Sequence, residues 1–539
     1  MKLDDKKQYI LLFAIIILQT LIYSCANVGY PTGGEVDKNP PKVLAFEPEN
    51  ESKNFSSNKL IIQFDEYIQL KDVDNQVLIS PPFEQKPEIQ AKGKSVHINI
   101  NDTLRPNTTY LFQFKNAVVD NNEGNPLPSL DYVFSTGNVL DSLSIKGSVS
   151  DAFTQKVDEE IYVFLYSDFS DSIVANSKPV YVTKTDKEGR FKFKYIAQGK
   201  YKIIALKDDD KSLTYNNVSE KIAFSTNSII PQYIVDSCDT ILAVKLNTFV
   251  QESGVQRITN SNMLKTGRAI IVCQRPLVSP TINAFGTEIV KYLNNTRDTL
   301  LIWTKQPTDS LSLIINDESG INDTLKLRYF QKKGRPSREP FMKTNVRASF
   351  PYFDTIRIRF TNPVDTIADA DELVYVKTDT DSFYTSLQFD SVMLNATLKL
   401  KLRPDTDYQI MIPGNRLTDI YGTKNDTIIL KTNVDNSTNY GTIKLKLDSI
   451  NDTLPYIVQI LSEKDKVIAQ KVADKATAVF PNLVAGAYRV RVIKDLNCNG
   501  KWDAGNYWHN RQSEPVYFLS KTIELRNNWE IEETFSLPE

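Results

Sequence analysis

The chain has 539 residues, too many for one hydrophobic core, so several domains are expected. It is 41% hydrophobic with a formal net charge of -2, which leaves no basic surplus for holding nucleic acid. Its four cysteines, Cys25, Cys238, Cys273 and Cys498, are too few for a disulfide scaffold.

At the N-terminus Lys2, Lys6 and Lys7 precede an apolar stretch, Tyr9 to Ile17, which resumes at Leu21 to Tyr23. A basic start, an apolar centre and a small residue before a cut form the signal-peptide pattern. The apolar run is shorter than the roughly 20 residues that a spanning helix needs. Ile22-Tyr23-Ser24-Cys25 reads as a lipobox. Removal of a signal peptide, residues 1–24, would leave Cys25 as the first mature residue, lipidated through its sulfur. More than one acyl chain, at about 0.8 kcal/mol per buried CH₂, makes such an anchor stable. The competing reading is an uncleaved N-terminal membrane anchor. Residues 25–42 are polar, rich in Gly and Pro, and read as a tether.

Residues 43–137 alternate between short apolar runs and turns. Lys59 to Phe64, Val96 to Ile100, Tyr110 to Phe114 and Tyr132 to Ser135 are expected strands, and even spacing of this kind argues for a β-sandwich. The block PPKVLAFEPEN, then LIIQFDEYI, then LRPNTTYLFQFKNAVVDNNEGN, then YVFSTG resembles the bacterial Ig-like domain first named from S-layer proteins, the SbsA type. That resemblance implies an Ig-like sandwich of about a hundred residues.

Residues 138–250 carry Gly189-Arg190-Phe191-Lys192-Phe193 and Gly199-Lys200-Tyr201-Lys202-Ile203-Ile204-Ala205. This order is similar to the transthyretin-like, or carboxypeptidase-regulatory-like, β-sandwich. The strand ends in the acidic turn Asp208, Asp210, Ser212. Residues 251–330 are expected to form a third sandwich of no recognised family. Residues 331–340, QKKGRPSREP, read as a linker.

The chain then repeats itself. Leu402-Arg403-Pro404-Asp405-Thr406-Asp407-Tyr408 matches Leu104 to Tyr110, and Leu417 to Gly422 matches Val118 to Gly124. Residues 341–433 therefore read as a second Ig-like domain. Gly486 to Val492 mirrors Gly199 to Ala205, and Lys494-Asp495 falls where Lys207-Asp208 falls. Residues 434–539 read as a second transthyretin-like sandwich. The expected fold class is all-β, tandem β-sandwiches behind a lipoprotein signal peptide. Each is expected to bury its own core, with few contacts across the linkers.

Few residues suggest chemistry. His97 lies inside an expected strand and His509 beside Trp508, where structural roles are expected. No Ser, His and acid spacing, zinc motif or phosphate loop is present, and Glu159-Glu160 reads as a solvated turn. The site-like stretch is Asp495, Asn497, Asn499, Lys501 and Asp503. Oxygens at positions 1, 3, 5, 7 (backbone) and 9, with Gly500 at position 6, follow the logic of a calcium loop. Position 12 is Asn506 rather than Glu, which predicts weak binding, and Asn499-Gly500 alone is also a hairpin-turn signal. Beside it, Trp502, Tyr507 and Trp508 are candidates for a sugar platform or for core packing.

Asp-Thr or Asp-Ser before an apolar residue recurs, as at Asp102, Asp298 and Asp323. It resembles the O-glycosylation acceptor of Bacteroidetes-type bacteria, and it also suits a turn that opens a strand. The expected protein is a non-enzymatic, lipid-anchored cell-envelope lipoprotein, and fold alone does not fix its task. A scaffold, spacer or binding role in the outer membrane is expected, with the membrane, glycans or other envelope proteins as partners. A glycan-binding accessory protein is the alternative, and a hydrolase with convergent carboxylates a distant third.

Overall fold

A computed structural model describes residues 37–233, 244–252, 254–330, 339–448, 454–473 and 476–537. The signal peptide, Cys25 and Cys238 lie outside them, as does nearly all of the 331–340 stretch. Among the described residues no helix is long and apolar enough to cross a membrane. The structure is nearly all β, a string of sandwiches.

In the first module one sheet is ordered Val43–Glu47, Lys59–Phe64, Ser95–Asn99, Glu88–Lys92. It faces the sheet Leu78–Ser80, Thr109–Gln113, Asp131–Ser135. Alternation decides which face is buried: Leu60, Ile62 and Phe64 point inward, while Lys59 is exposed. They meet Phe112, Phe114, Tyr132 and Phe134 in one core, each such side chain contributing roughly 1.5–3 kcal/mol. The repeated Leu-Arg-Pro turn has a physical reason. Tyr110 folds back so that its hydroxyl accepts the Arg105 N–H at 2.9 Å, and Tyr408 does the same for Arg403 at 3.0 Å. Asn107 and Asp405 adopt left-handed backbone to make room. The Asp-Asn loop also recurs in space: Asp120 accepts the N–H groups of Asn122, Glu123 and Gly124, and Asp419 those of Tyr421 and Thr423.

The second module is one seven-stranded folded sheet. Its last strand, Val244–Val250, returns to lie parallel to its first, Leu143–Asp151. The C-terminal module does the same, with Glu530–Ser536 parallel to Tyr440–Asp448 over seven residue pairs. In the fourth module the short second strand Ser349–Phe350 runs parallel to the last strand Ile428–Val434. Residues 258–328 form two sheets around Ala269, Ile271, Leu300, Ile302, Leu313 and Ile315.

The modules are bonded to one another. Ser80 Oγ accepts the Val182 N–H at 3.1 Å, and Lys194 pairs with Asp131 at 2.8 Å, tying the first module to the second. Arg268 pairs with Glu339, Trp303 donates to Asn362 and Tyr421 donates to the Gly267 carbonyl, tying the third to the fourth. Tyr352 donates to Asn482 at 2.8 Å, tying the fourth to the fifth. The expectation of few contacts across linkers is therefore revised.

Candidate functional site

The loop Asp495 to Glu514 joins the strand Gly486–Lys494 to the strand Val516–Phe518. Asp495 is fully buried at its head. One carboxylate oxygen accepts the Asn499 N–H at 3.1 Å and the other the Gly500 N–H at 2.8 Å. Cys498 and Gly500 take left-handed backbone, which lets the chain wrap around that carboxylate. Asn497 and Asn499 accept N–H groups of the same turn, and their amides both donate to Asp503 Oδ2.

Glu514, which the sequence reading passed over, closes the loop. Its two oxygens take the Leu496 N–H at 2.7 Å and the Asp503 N–H at 3.0 Å. Burial pushes its carboxyl above the usual range despite those donors. The stretch offered as a calcium loop closes on its own hydrogen bonds, with Asp495, Asn497, Asn499 and Asp503 all engaged within it. Lys501 is exposed and its N–H is held by Asn499.

The aromatic side of the loop is a docking surface. Tyr507 is 2% exposed and lies among Tyr166, Tyr215, Phe224 and Phe249 of the second module. Its hydroxyl donates to the Asp171 carbonyl at 3.0 Å, its N–H to Gln251 Oε1 at 2.9 Å, and Gln512 donates to the Phe224 carbonyl at 2.9 Å. A Cβ on Gly505 would land on the Phe249 ring, so only glycine lets the loop approach this closely. Trp502 packs on Phe153 at 4.8 Å between ring centroids, and the Arg491 guanidinium lies 3.9 Å over the same ring. Of the three aromatics offered as a sugar platform, Tyr507 is covered, Trp502 is half-buried, and Trp508, stacked on Tyr215 at 6.0 Å, is exposed.

The second module holds a twin of this turn. Asp208 Oδ1 accepts the Ser212 N–H at 3.1 Å and Oδ2 the Leu213 N–H at 2.8 Å, the same spacing as at Asp495. Lys211 and Leu213 adopt the left-handed backbone that Cys498 and Gly500 adopt in the other copy. Asp210 accepts from Ser212 and from the Asn216 amide. Glu220, directly before the strand Lys221–Phe224, stands where Glu514 stands before its own strand. Burial pushes the Asp208 carboxyl up to about 6 and that of Glu220 to about 7, neighbouring acids adding to both, while donors hold Asp210 low.

The remaining candidates are unremarkable in place. His97 sits half-buried on an inner strand opposite Ile61, and His509 is exposed. Glu159 and Glu160 are exposed. Cys273 is buried and Cys498 exposed, and both are free thiols. Asp298 precedes the strand Thr299–Thr304, and Asp323 lies within the strand Ile321–Arg328.

Residues 37–136 match the family described as bacterial Ig-like domain. No curated protein matches the chain in sequence. Among solved structures, the major pilin subunit BcpA of Bacillus cereus aligns with 74% of this chain and 99% of its own, at 9% identity and a TM-score of 0.15. The S-layer protein SbsC aligns with 90% of this chain and 67% of its own, at 12% identity and a TM-score of 0.13. SGBP-B of the Bacteroides ovatus mixed-linkage glucan utilization locus, solved with a mixed-linkage heptasaccharide, aligns with 64% of this chain and 88% of its own. Its identity is 11% and its TM-score 0.18. Scores this low carry no argument about role.

Proposed function

We propose that the chain is a non-enzymatic scaffold of the bacterial cell envelope, held to a membrane by lipid on Cys25. The observation that carries the scaffold reading is the seam between the second and fifth modules. With the other intermodule bonds it folds the array back on itself, so the Ig-like and transthyretin-like modules form a braced platform rather than a loose string of spacers. The anchor rests on the lipobox Ile22 to Cys25, and the outer membrane is the proposed address. Glycan recognition by the C-terminal aromatics is the weaker reading, because the docked module already occupies Tyr507.

Cell fractionation tests it. Cys25→Ala is expected to move the protein from the membrane pellet to the soluble fraction. A variant that stays in the pellet with its signal intact would overturn the anchor.

A further inference from the structure

We propose that Asp208, Asp210 and Glu220 form a calcium site in the second module. This inference does not rest on the envelope reading. Among the described residues these three are the group of metal-ligating side chains that converges, with one carboxylate oxygen from each lying within 4.8 Å of the others.

Convergence of acids alone is not a site, but here a buried oxygen is left over. Glu220 is 4% exposed, and its Oε2 has no hydrogen-bond partner. An orphaned buried carboxylate oxygen is strongly unfavourable unless something neutralises it. The Tyr215 and Tyr166 hydroxyls are also buried without partners. Tyr215 feels the charge of Glu220, and Tyr166 that of Asp208. No lysine or arginine acts on Asp208 or Glu220 among their leading influences, which are burial and other acids. Asp208 and Glu220 are buried while Asp210 is exposed beside them, so the group is dry at its base and open to solvent at Asp210, and a bound cation supplies the charge that the orphaned oxygen lacks.

The contrast with the C-terminal twin separates a site from a turn. Asp495 and Asp208 are held by the same pair of N–H groups. In the C-terminal copy Asn497 takes the place of Asp210, and both oxygens of Glu514 are occupied. The calcium logic that the sequence suggested for the Asp495 loop is therefore better met at Asp208, where the charge is higher and an oxygen is free.

Size and hardness choose the ion. All donors are oxygens, which suit calcium or magnesium. Calcium accepts irregular cages of roughly six to eight oxygens, whereas magnesium demands a near-ideal octahedron and keeps its waters, so a loop of protein oxygens suits calcium better. The three oxygens lie within 4.8 Å of one another, close enough to share one ion. The loop also carries Tyr215, which is buried and packs against Tyr507 and Trp508. Calcium at its base would thus hold one wall of the seam.

The full chain in detergent, stripped with EDTA, is titrated with calcium chloride while its melting is followed. Wild type is expected to melt about 5 °C higher at a calcium concentration ten times the dissociation constant, with a smaller rise in magnesium. Glu220→Gln is expected to lose the calcium response while melting no lower than wild type in EDTA, because it removes a buried charge but keeps the shape. Asp495→Asn is expected to keep the response. No rise in wild type at 10 mM calcium, or an equal rise in Glu220→Gln, overturns the site, and an equal rise with magnesium overturns the choice of ion.

Discussion

The seam can be broken at one side chain. Tyr507 is 2% exposed, and its ring is walled by Tyr215, Phe224 and Lys202 of the second module. Tyr507→Ala deletes that ring, a loss of about 3–5 kcal/mol for a buried aromatic. It also removes the hydroxyl bond to Asp171, about 1 kcal/mol more. The closed seam should therefore weaken by about 4–6 kcal/mol, roughly three decades or more in the opening equilibrium. Hydrogen exchange reads this directly, because the Tyr507 N–H is bonded across the seam to Gln251. The expected result is about a thousandfold faster exchange at Tyr507, with the strand Gly486–Lys494 unchanged. Tyr507→Phe should lose about tenfold at most. Unchanged exchange in Tyr507→Ala would refute the docking. Equal acceleration throughout the fifth module would show instead that Tyr507 belongs to that module's own core.

Two further outcomes follow from local chemistry. Glu514→Ala strips the acceptor from the Leu496 and Asp503 N–H groups, and should cost about 2–4 kcal/mol in denaturant unfolding; a loss under 0.5 kcal/mol would mean the loop closes without it. Trypsin should cut first at Lys332, Lys333 or Arg338, in the basic stretch before the fourth module, whereas early cuts scattered from Leu60 to Phe114 would contradict a folded first module.

The strands were legible because alternation and turn chemistry are local. Lys59 to Phe64 reads as a strand from its own six residues, and the Leu-Arg-Pro turn carries its tyrosine five residues on. Both acidic turns were visible for the same reason. Their glutamates were not: Glu220 and Glu514 reach the turns only because the next strand pairs back beside them. A calcium reading confined to consecutive positions therefore took in the Asp495 loop and left Glu220 and Glu514 out. The seam was illegible for a stronger reason. Tyr507 and Asp171 are 336 residues apart, and nothing near either marks the other. Trp502, Tyr507 and Trp508 signalled only that something apolar would lie there.

The parallel pairing of first and last strands sets how the array carries tension. Where entry and exit strands run the same way side by side, a pull on the two ends of a module slides one strand along the other. All the rungs between Leu143–Asp151 and Val244–Val250, or between Tyr440–Asp448 and Glu530–Ser536, are then loaded together. A hairpin pulled at its open end would give way one rung at a time. In single-molecule stretching these two modules should yield abruptly and late, and a gradual low-force yield would exclude a shear clamp. If the chain is the tethered scaffold proposed above, such modules would resist drag through their backbone ladders, whatever it holds.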